Sequence, residues 1–430
     1  MTHFNELGLN AHLLKALESE GYQTPTPIQA RAIPELMKGR DLLGIAQTGT
    51  GKTAAFALPI LDRLAQIKGR PDRGTCRALI LSPTRELAAQ IGESFRTYGK
   101  FLRLSQATVF GGVSIGNQIR TVGNGVDILI ATPGRLVDLI DRRVLSLSKL
   151  EVFVLDEVDQ MLDLGFIHAI RKITGLLPQR RQNLFFSATM PKEISGLADN
   201  LLKDPVRVEI TPVATTAERV NQSIIHVETR GKLALLVDLF ASNAMPRTLV
   251  FTRTKHGADR VVKGLTKERI EAAAIHGNKS QGQRERALAG FKNGKLRVLV
   301  ATDIAARGID VDGVSHVVNY DLPFVSESYV HRIGRTARAG SSGEAIAFCD
   351  PEERPLLRDI ERTIRQKIPV VAHRLGIAAP QSHERSGAPQ NHHRPQQNQP
   401  SWHKKPGQKP QGARGKWRPR PQQKSANPAR

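Results

Sequence analysis

Short apolar runs alternate with helical patterns along most of this chain. Runs of β type occur at 42–46, 78–81, 106–110, 127–130, 152–155, 183–186 and 206–210. Apolar residues recur at helical spacing between most of them, as over 86–98 and 135–141. This alternation predicts a parallel sheet with crossover helices, an α/β fold. In such sheets the ligand site lies beyond the carboxyl ends of the strands. Several runs end there in polar or glycine residues: Pro83-Thr84-Arg85, Gly111-Gly112, Thr132-Pro133-Gly134-Arg135, Asp156-Glu157 and Ser187-Ala188-Thr189. A second series follows, with β-type runs at 248–251, 272–275, 298–301, 317–318 and 345–348. The small, polar, proline-bearing stretch 211–217 between the two series reads as a linker. Ahead of the first run come two helical patterns, at 10–20 with Leu13, Leu14 and Leu17, and at 29–38. The stiff turn Pro25-Thr26-Pro27-Ile28-Gln29 leads into the second. From residue 379 the composition collapses to Gln, Pro, Asn, His, Lys and Arg. Such a tail cannot bury enough apolar surface to offset its ordering entropy, so it is expected to be disordered.

One turn gives the first series a chemistry. Gln47-Thr48-Gly49-Thr50-Gly51-Lys52-Thr53 joins the apolar run 42–46 to the helical run 54–58. Glycines there let backbone N–H groups approach phosphate oxygens, and the helix N-terminus adds partial positive charge. Lys52 would reach the phosphates and Thr53 would ligate Mg²⁺. Ala46 stands where the general pattern has glycine, and a turn used only for packing is the alternative. Asp156-Glu157-Val158-Asp159 follows a buried run 104 residues after Lys52. Asp156 there would hold the metal and Glu157 would activate a water. Acids at a strand end can also simply cap a helix. The hydroxyls of Ser187 and Thr189 are placed to bond the acids of 156–159, or to cap a helix themselves. Gln29 on its rigid turn suits an adenine edge, since an amide donates and accepts at once, although a capping role is the commoner use. His331-Arg332-Ile333-Gly334-Arg335-Thr336-Ala337-Arg338 holds three arginines in seven residues. Arg335 and Arg338 would share a face if the stretch is helical. They would act as arginine fingers there, or form a solvated basic face.

Charge narrows the partner. The 430 residues carry a formal net charge of +23, which favours a polyanion. Eleven Lys/Arg against the single acid Glu384 put +10 in the last 51 residues. Trp402 and Trp417 stand among them, and an aromatic face beside cations can stack on a base. A tail that only keeps the chain soluble is the alternative. The two cysteines, Cys76 and Cys349, lie in apolar runs and suggest neither a disulfide framework nor a metal cluster. No apolar run reaches the roughly 18–20 residues needed to span a bilayer. The N-terminus does not read as a signal peptide, and a cytoplasmic protein is expected.

Taken together, these motifs resemble the DEAD-box RNA helicases, over about residues 4–378. Ala46 to Thr53 fits that family's own A-x-T-G-x-G-K-T form. Phe4, seventeen residues before Gly21, and the segment Gly21 to Gln29 resemble its adenine-reading motif. The resemblance implies two tandem RecA-like parallel-sheet domains flanking a cleft. An ATP-binding domain would span 1–210, with an adenine-reading segment at 1–30, and a second domain 218–378, followed by the basic tail 379–430. It implies ATP contacts by Phe4, Tyr22, Gln29, Ala46, Gln47, Thr48, Gly49, Thr50, Gly51, Lys52, Thr53, Gly308 and Asp310. Mg²⁺ would be held by Thr53 and Asp156. Catalysis would fall to Lys52, Asp156, Glu157, Arg335 and Arg338, and coupling to Asp159, Ser187, Thr189 and His331.

RNA contacts are implied at Pro83, Thr84, Arg85, Gly111, Gly112, Thr132, Pro133, Gly134, Arg135, Arg253, Gly277, Gln281, Arg284 and Thr302. Gln281 and Arg284 would serve the domain interface as well. The activity implied is RNA-stimulated ATP hydrolysis with local unwinding of short duplexes. The rivals are an ATP-dependent RNA clamp and a DNA translocase on the same core. The early residues and the tail resemble the bacterial RhlE-like branch, and ribosomal precursors or RNA-decay machinery are candidate partners. Two positions depart from the family pattern. Val158 replaces an alanine, where added methyls threaten overpacking costing about 1–3 kcal/mol, and Ala337 replaces a common glycine.

Overall fold

In the computed structural model the chain is described over residues 3–47, 49–210, 220–242, 244–306, 311, 313–337 and 343–377. The linker 211–217 and the tail from 378 onward, with Trp402 and Trp417, lie outside the described residues.

The two apolar series build two sheets. The first holds β1 (Leu42–Ile45), β2 (Cys76–Leu81), β3 (Gln106–Val109), β4 (Val126–Ala131), β5 (Val152–Leu155), β6 (Gln182–Ser187) and β7 (Val206–Glu209), in the order β3-β4-β2-β5-β6-β1-β7. The second holds β8 (Val220–His226), β9 (Thr248–Phe251), β10 (Ala272–Ile275), β11 (Val298–Ala301), β12 (His316–Asn319) and β13 (Gly343–Cys349), in the order β10-β11-β9-β12-β13-β8. Neighbouring strands pair in parallel in both sheets. Parallel strands need crossovers, and these are the helices that cover both faces. That is why β4, β5 and β6 are buried at every position. Around the first sheet, α1 (Ala11–Ser19), α2 (Pro27–Met37), α3 (Lys52–Ala65) and α4 (Arg85–Tyr98) pack one face, where Ile80, Val154 and Phe186 point. On the other face Leu79, Phe153 and Phe185 meet α6 (Pro133–Asp141), α7 (Val158–Asp163), α8 (Ile167–Thr174) and α9 (Lys192–Leu201); α5 (Ile115–Gly123) flanks β3. Full burial of each such side chain is worth about 1.5–3 kcal/mol.

Local chemistry sets the helix starts. Thr26 precedes Pro27 at the first position of α2, two residues ahead of the start read from periodicity. Thr84 caps α4 by accepting from the Leu87 N–H at 3.2 Å. The strand β8 has no counterpart in the apolar pattern. Its sequence, Val220 to His226, carries Asn221, Gln222 and Ser223, and Gln222 is buried because Tyr329 Oη donates to its side chain at 2.9 Å.

Candidate active site

The phosphate-type turn sits where the sheet argument places it, between β1 and α3. Gly51 caps α3 with φ +90°, a left-handed conformation that favours glycine. A Cβ there would lie 2.5 Å from Gln29 Nε2 and 2.9 Å from Thr26 Oγ1. Gln29 does two jobs. Its Oε1 accepts from the Thr26 N–H at 2.9 Å, and its Nε2 donates to the Gly51 carbonyl at 3.1 Å. The helix-capping use is therefore present, and the same amide ties the Pro25–Gln29 turn to the loop. Lys52 is buried, and its Nζ donates to the Ala46 carbonyl at 2.8 Å, which folds the ammonium over the turn. Thr50 Oγ1 donates to the Gln47 carbonyl at 2.8 Å. Thr53 and Gln47 are half-buried, Gly49 is exposed, and Thr48 lies outside the described residues. Phe4 is buried in the core with Leu7 and Leu13, whereas Tyr22 is half exposed, its ring edge-on to Tyr98 at 6.2 Å.

Asp156 and Glu157 stand at the end of β5. Both are almost wholly buried. Glu157 has φ 53° and ψ 55°, a left-handed backbone that costs a bulky residue about 1–3 kcal/mol and is typical of functional sites. Among the described residues, Asp156 Oδ1 and Glu157 Oε2 have no hydrogen-bond partner. Burial raises the pKa of both groups; Glu157 is pushed up to about 7, with Lys52 and Arg335 opposing the shift and Asp156 adding to it. A carboxyl near neutrality is poised to exchange a proton with water. Two buried carboxylates beside an ammonium, each with an oxygen left over, also fit a divalent cation and its waters.

Asp159 carries the contact to the next strand end. Its Oδ2 accepts from the N–H groups of Ala188 and Thr189 at 3.1 and 3.2 Å and from Thr189 Oγ1 at 3.3 Å. Ser187 differs from expectation, because its hydroxyl donates to the Thr189 carbonyl at 2.8 Å rather than to an acid. Val158 is fully buried in the cluster that holds Leu155, Met161 and Ile194.

The second sheet closes this site. A cavity is lined by Lys52, Glu157, Asp159 and Ala188 from one side and by His331 and Arg335 from the other. Arg335 is buried and near enough to Glu157 to act on its charge. It is not on a helix. The helix Ser326–Ile333 ends at the Gly334 cap, so the shared-face argument for Arg335 and Arg338 fails, and Arg338 lies outside the described residues, as do Gly308 and Asp310.

Arg332 is the residue that motif reading passed over. Its guanidinium grips Asp303 twice, at 2.5 and 2.7 Å, donates to Asn319 Oδ1 at 3.0 Å and to the Asp321 carbonyl at 2.6 Å, and lies over Phe251. It thereby joins the turn after β11 to the helix carrying His331. Its signal was a buried helix face: Ser328, Tyr329, Arg332 and Ile333 recur at spacings of three and four.

A second groove is lined by Pro83, Thr84, Arg85, Gly111, Thr132, Gly134 and Arg135, with Arg284 and Ile304 from the second sheet. Gly112 has φ +80°, and a Cβ there would overlap the Arg85 guanidinium. Arg135 is aimed by bonds to Gln118 Oε1 at 2.8 Å and the Val113 carbonyl at 3.2 Å, and Pro133 is buried at the start of α6. Arg284 crosses between the sheets: its Nη2 meets Glu86 Oε2 at 2.8 Å, both side chains buried. Gln281 donates to Glu285 at 3.1 Å. Gly277 is exposed beyond β10, and Thr302 is half-buried beyond β11. Lys255, absent from the motif reading, donates to Asn278 Oδ1 at 3.1 Å, beside Gly277. Arg253, beyond β9, is held by Glu353 and the Leu322 carbonyl against the ring of Phe324.

Comparison with known proteins agrees with this geometry. Residues 26–197 match the model of the DEAD/DEAH box helicase family, and residues 231–340 that of the helicase conserved C-terminal domain. The chain is 42% identical over 368 residues to the DEAD-box ATP-dependent RNA helicase CshA of Bacillus cereus, covering 86% of this chain and 69% of that one. It is 46% identical over 369 residues to the RNA helicase CrhR of Synechocystis, covering 85% and 74%. Among solved structures, S. cerevisiae Dbp5 bound to RNA and ADP BeF3 matches with a TM-score of 0.77 at 31% identity, over 86% of this chain and 96% of that one.

Proposed function

The chain belongs to the DEAD-box ATP-dependent RNA helicases, and from that premise we propose that it hydrolyses ATP when RNA binds and uses the cycle to unwind short duplexes or remodel RNA–protein complexes. One observation carries the chemistry. Asp156 Oδ1 and Glu157 Oε2, buried and without a partner among the described residues, stand beside Lys52, and Arg335 faces Glu157 from the other sheet.

In this reading Gln29 and the turn from Ala46 to Thr53 hold ATP, with Phe4, Tyr22, Gly308 and Asp310 serving the base and ribose ends. Lys52 leaves the Ala46 carbonyl for the phosphate oxygens. Thr53 and Asp156 hold Mg²⁺, which when bound offsets phosphate charge. Glu157 orients the attacking water and takes its proton. Arg335, with Arg338, stabilises charge on the transferred phosphoryl group. Asp159, Ser187, Thr189 and His331 link that event to the sheets' relative position. RNA runs along the groove of Pro83 to Arg135 and onto Gly277, Gln281, Arg284, Thr302 and Arg253. Contact is made mostly through its backbone, so sequence preference is weak. Domain limits at 1–210 and 218–378, a cytoplasmic site of action, the RhlE-like branch, ribosomal precursor or decay partners, and an RNA tether at Trp402 and Trp417 belong to the same reading. Among the described residues no helix is long and apolar enough to cross a membrane.

Steady-state ATPase assays with Mg²⁺ test it, with no nucleic acid, with single-stranded RNA and with matched single-stranded DNA. Strong stimulation by RNA alone is the expected result. Equal stimulation by DNA would favour a translocase, and RNA-stimulated turnover without unwinding of a short duplex a clamp.

A further inference from the structure

We propose that the exposed ring of Phe324, braced by Arg253, is a stacking platform for an unpaired nucleobase of the bound RNA strand. This rests on the RNA-binding reading above and adds a site to it. Phe324 is 71% exposed and its neighbour Val325 is 57% exposed, so a small apolar patch stands in water where a ligand that covered it would gain by burial. One face is already covered: the Arg253 guanidinium lies 4.5 Å from the ring centroid. That guanidinium is fixed, because its Nη2 bonds the Leu322 carbonyl at 3.0 Å and Glu353 Oε1 at 2.5 Å, and Glu353 is buried. The ring is therefore held in place and offers its other face.

Sheet register gives the occupant. Ile275, Ala301, Phe251 and Asn319 align across β10, β11, β9 and β12. Just beyond them, on one edge of the sheet, stand in order Gly277, Thr302, Arg253 and the loop Asp321–Phe324. Three strand spacings of about 4.8 Å put this row at about 14 Å. A strand of RNA following the first three arrives at the fourth. Of the three acids beside the platform, two are paired with cations and the third is exposed, where water screens it. Asp321 and Glu353 both meet Lys232, at 3.3 and 2.7 Å, and Glu353 also meets Arg253; Glu327, exposed one turn on, accepts from Ser326. Lys255, exposed at the start of the helix after Arg253, adds a cation to the row. An aromatic face beside a cation takes any base, consistent with weak sequence preference.

The test is single-stranded RNA carrying 2-aminopurine at each position in turn, bound to the full chain with a non-hydrolysable ATP analogue. Stacking quenches the probe at one position in the wild type. Phe324→Ala is expected to remove that quench and weaken affinity about tenfold, the lower part of the range for base–aromatic stacking. Phe324→Trp restores both, and Phe324→Leu, which still covers Arg253, restores neither. Thermal midpoints matching the wild type establish that the variants fold. Unchanged quench and affinity in Phe324→Ala would overturn the platform, as would a Leu variant equal to wild type, which would make the ring a mere cover or a protein-docking surface. A wild-type chain that binds no RNA would overturn the functional reading and the platform with it, so the two failures are distinguishable.

Discussion

Each sheet carries a cluster of buried charge, and the two are built oppositely. Beside the first sheet, Asp156 and Glu157 are buried with an oxygen each left unpartnered among the described residues, and Glu157 sits on a strained backbone. Beside the second, Lys232 is 1% exposed and meets Glu353, Asp321 and Asp350 at 2.7, 3.3 and 3.4 Å. Those carboxylates are engaged further. Glu353 accepts from the Leu322 N–H at 3.0 Å, Asp321 from the Arg253 N–H at 2.9 Å, and Asp350 from Thr229 Oγ1 at 2.8 Å. Burial pulls the Lys232 pKa down, but the three carboxylates outweigh it and hold the ammonium charged. The difference teaches how to read buried charge: a cluster whose valences are closed holds the fold, and one with valences left open awaits a ligand.

Substitutions can break that contrast. The largest effect is expected from Glu157→Gln, which should lower kcat about 10²–10⁴-fold while ATP-dependent RNA binding and the thermal midpoint hold. A matching drop in stability would show that Glu157 is structural. Lys232→Met should do the reverse, destabilising the protein by about 3–5 kcal/mol in urea because Asp350 and Glu353 are left buried, and Asp321 half-buried, without the cation they share. A midpoint near wild type would end the closed-cluster reading. Arg284→Ala leaves Glu86 buried and alone, a loss of about 2–5 kcal/mol for such pairs. It should raise the RNA concentration for half-maximal ATPase, with activity partly regained in the Glu86→Gln, Arg284→Met double variant. Val158→Ala should cost about 1–3 kcal/mol by opening a cavity in a packed cluster; a higher midpoint would instead reveal overpacking.

The smallest effect concerns pH. Burial lowers the pKa of His226 and of His316 below the usual value. The unfolded chain then binds more protons than the folded one as pH falls below about 6.5, so their contribution is present above that value and lost beneath it. Denaturation midpoints at pH 7.5 and 5.5 should show the loss, and His226→Gln should reduce it.

Much of the site was legible because its residues are consecutive. A turn ending Gly51-Lys52-Thr53, or acids directly after β5, needs no tertiary information to reach a sheet's ligand edge. Residues that act across the sequence were not legible in this way. Arg332 reaches Asp303, 29 residues away, and Arg284 reaches Glu86, 198 residues away. Nothing local marks either pairing. β8 was missed for a related reason: its buried Gln222 reads as polar until Tyr329 is brought to it. A shared face for Arg335 and Arg338 required the stretch to be helical, and Gly334 ends the helix before Arg335.

The alternating strand and helix order, the phosphate-type turn, the position of the acids and the family resemblance can be read from residue order alone, because each is a matter of local periodicity or contiguous chemistry. Which valences are closed is settled only once the chain is folded. That Gln29 both caps α2 and holds Gly51, that Asp159 is met by Ala188 and Thr189 and not by the Ser187 hydroxyl, and that Phe324 stands bare beside a pinned Arg253 depend on burial and distance. Burial and hydrogen-bond satisfaction are properties of packed surroundings, and those surroundings are assembled from residues far apart in the chain.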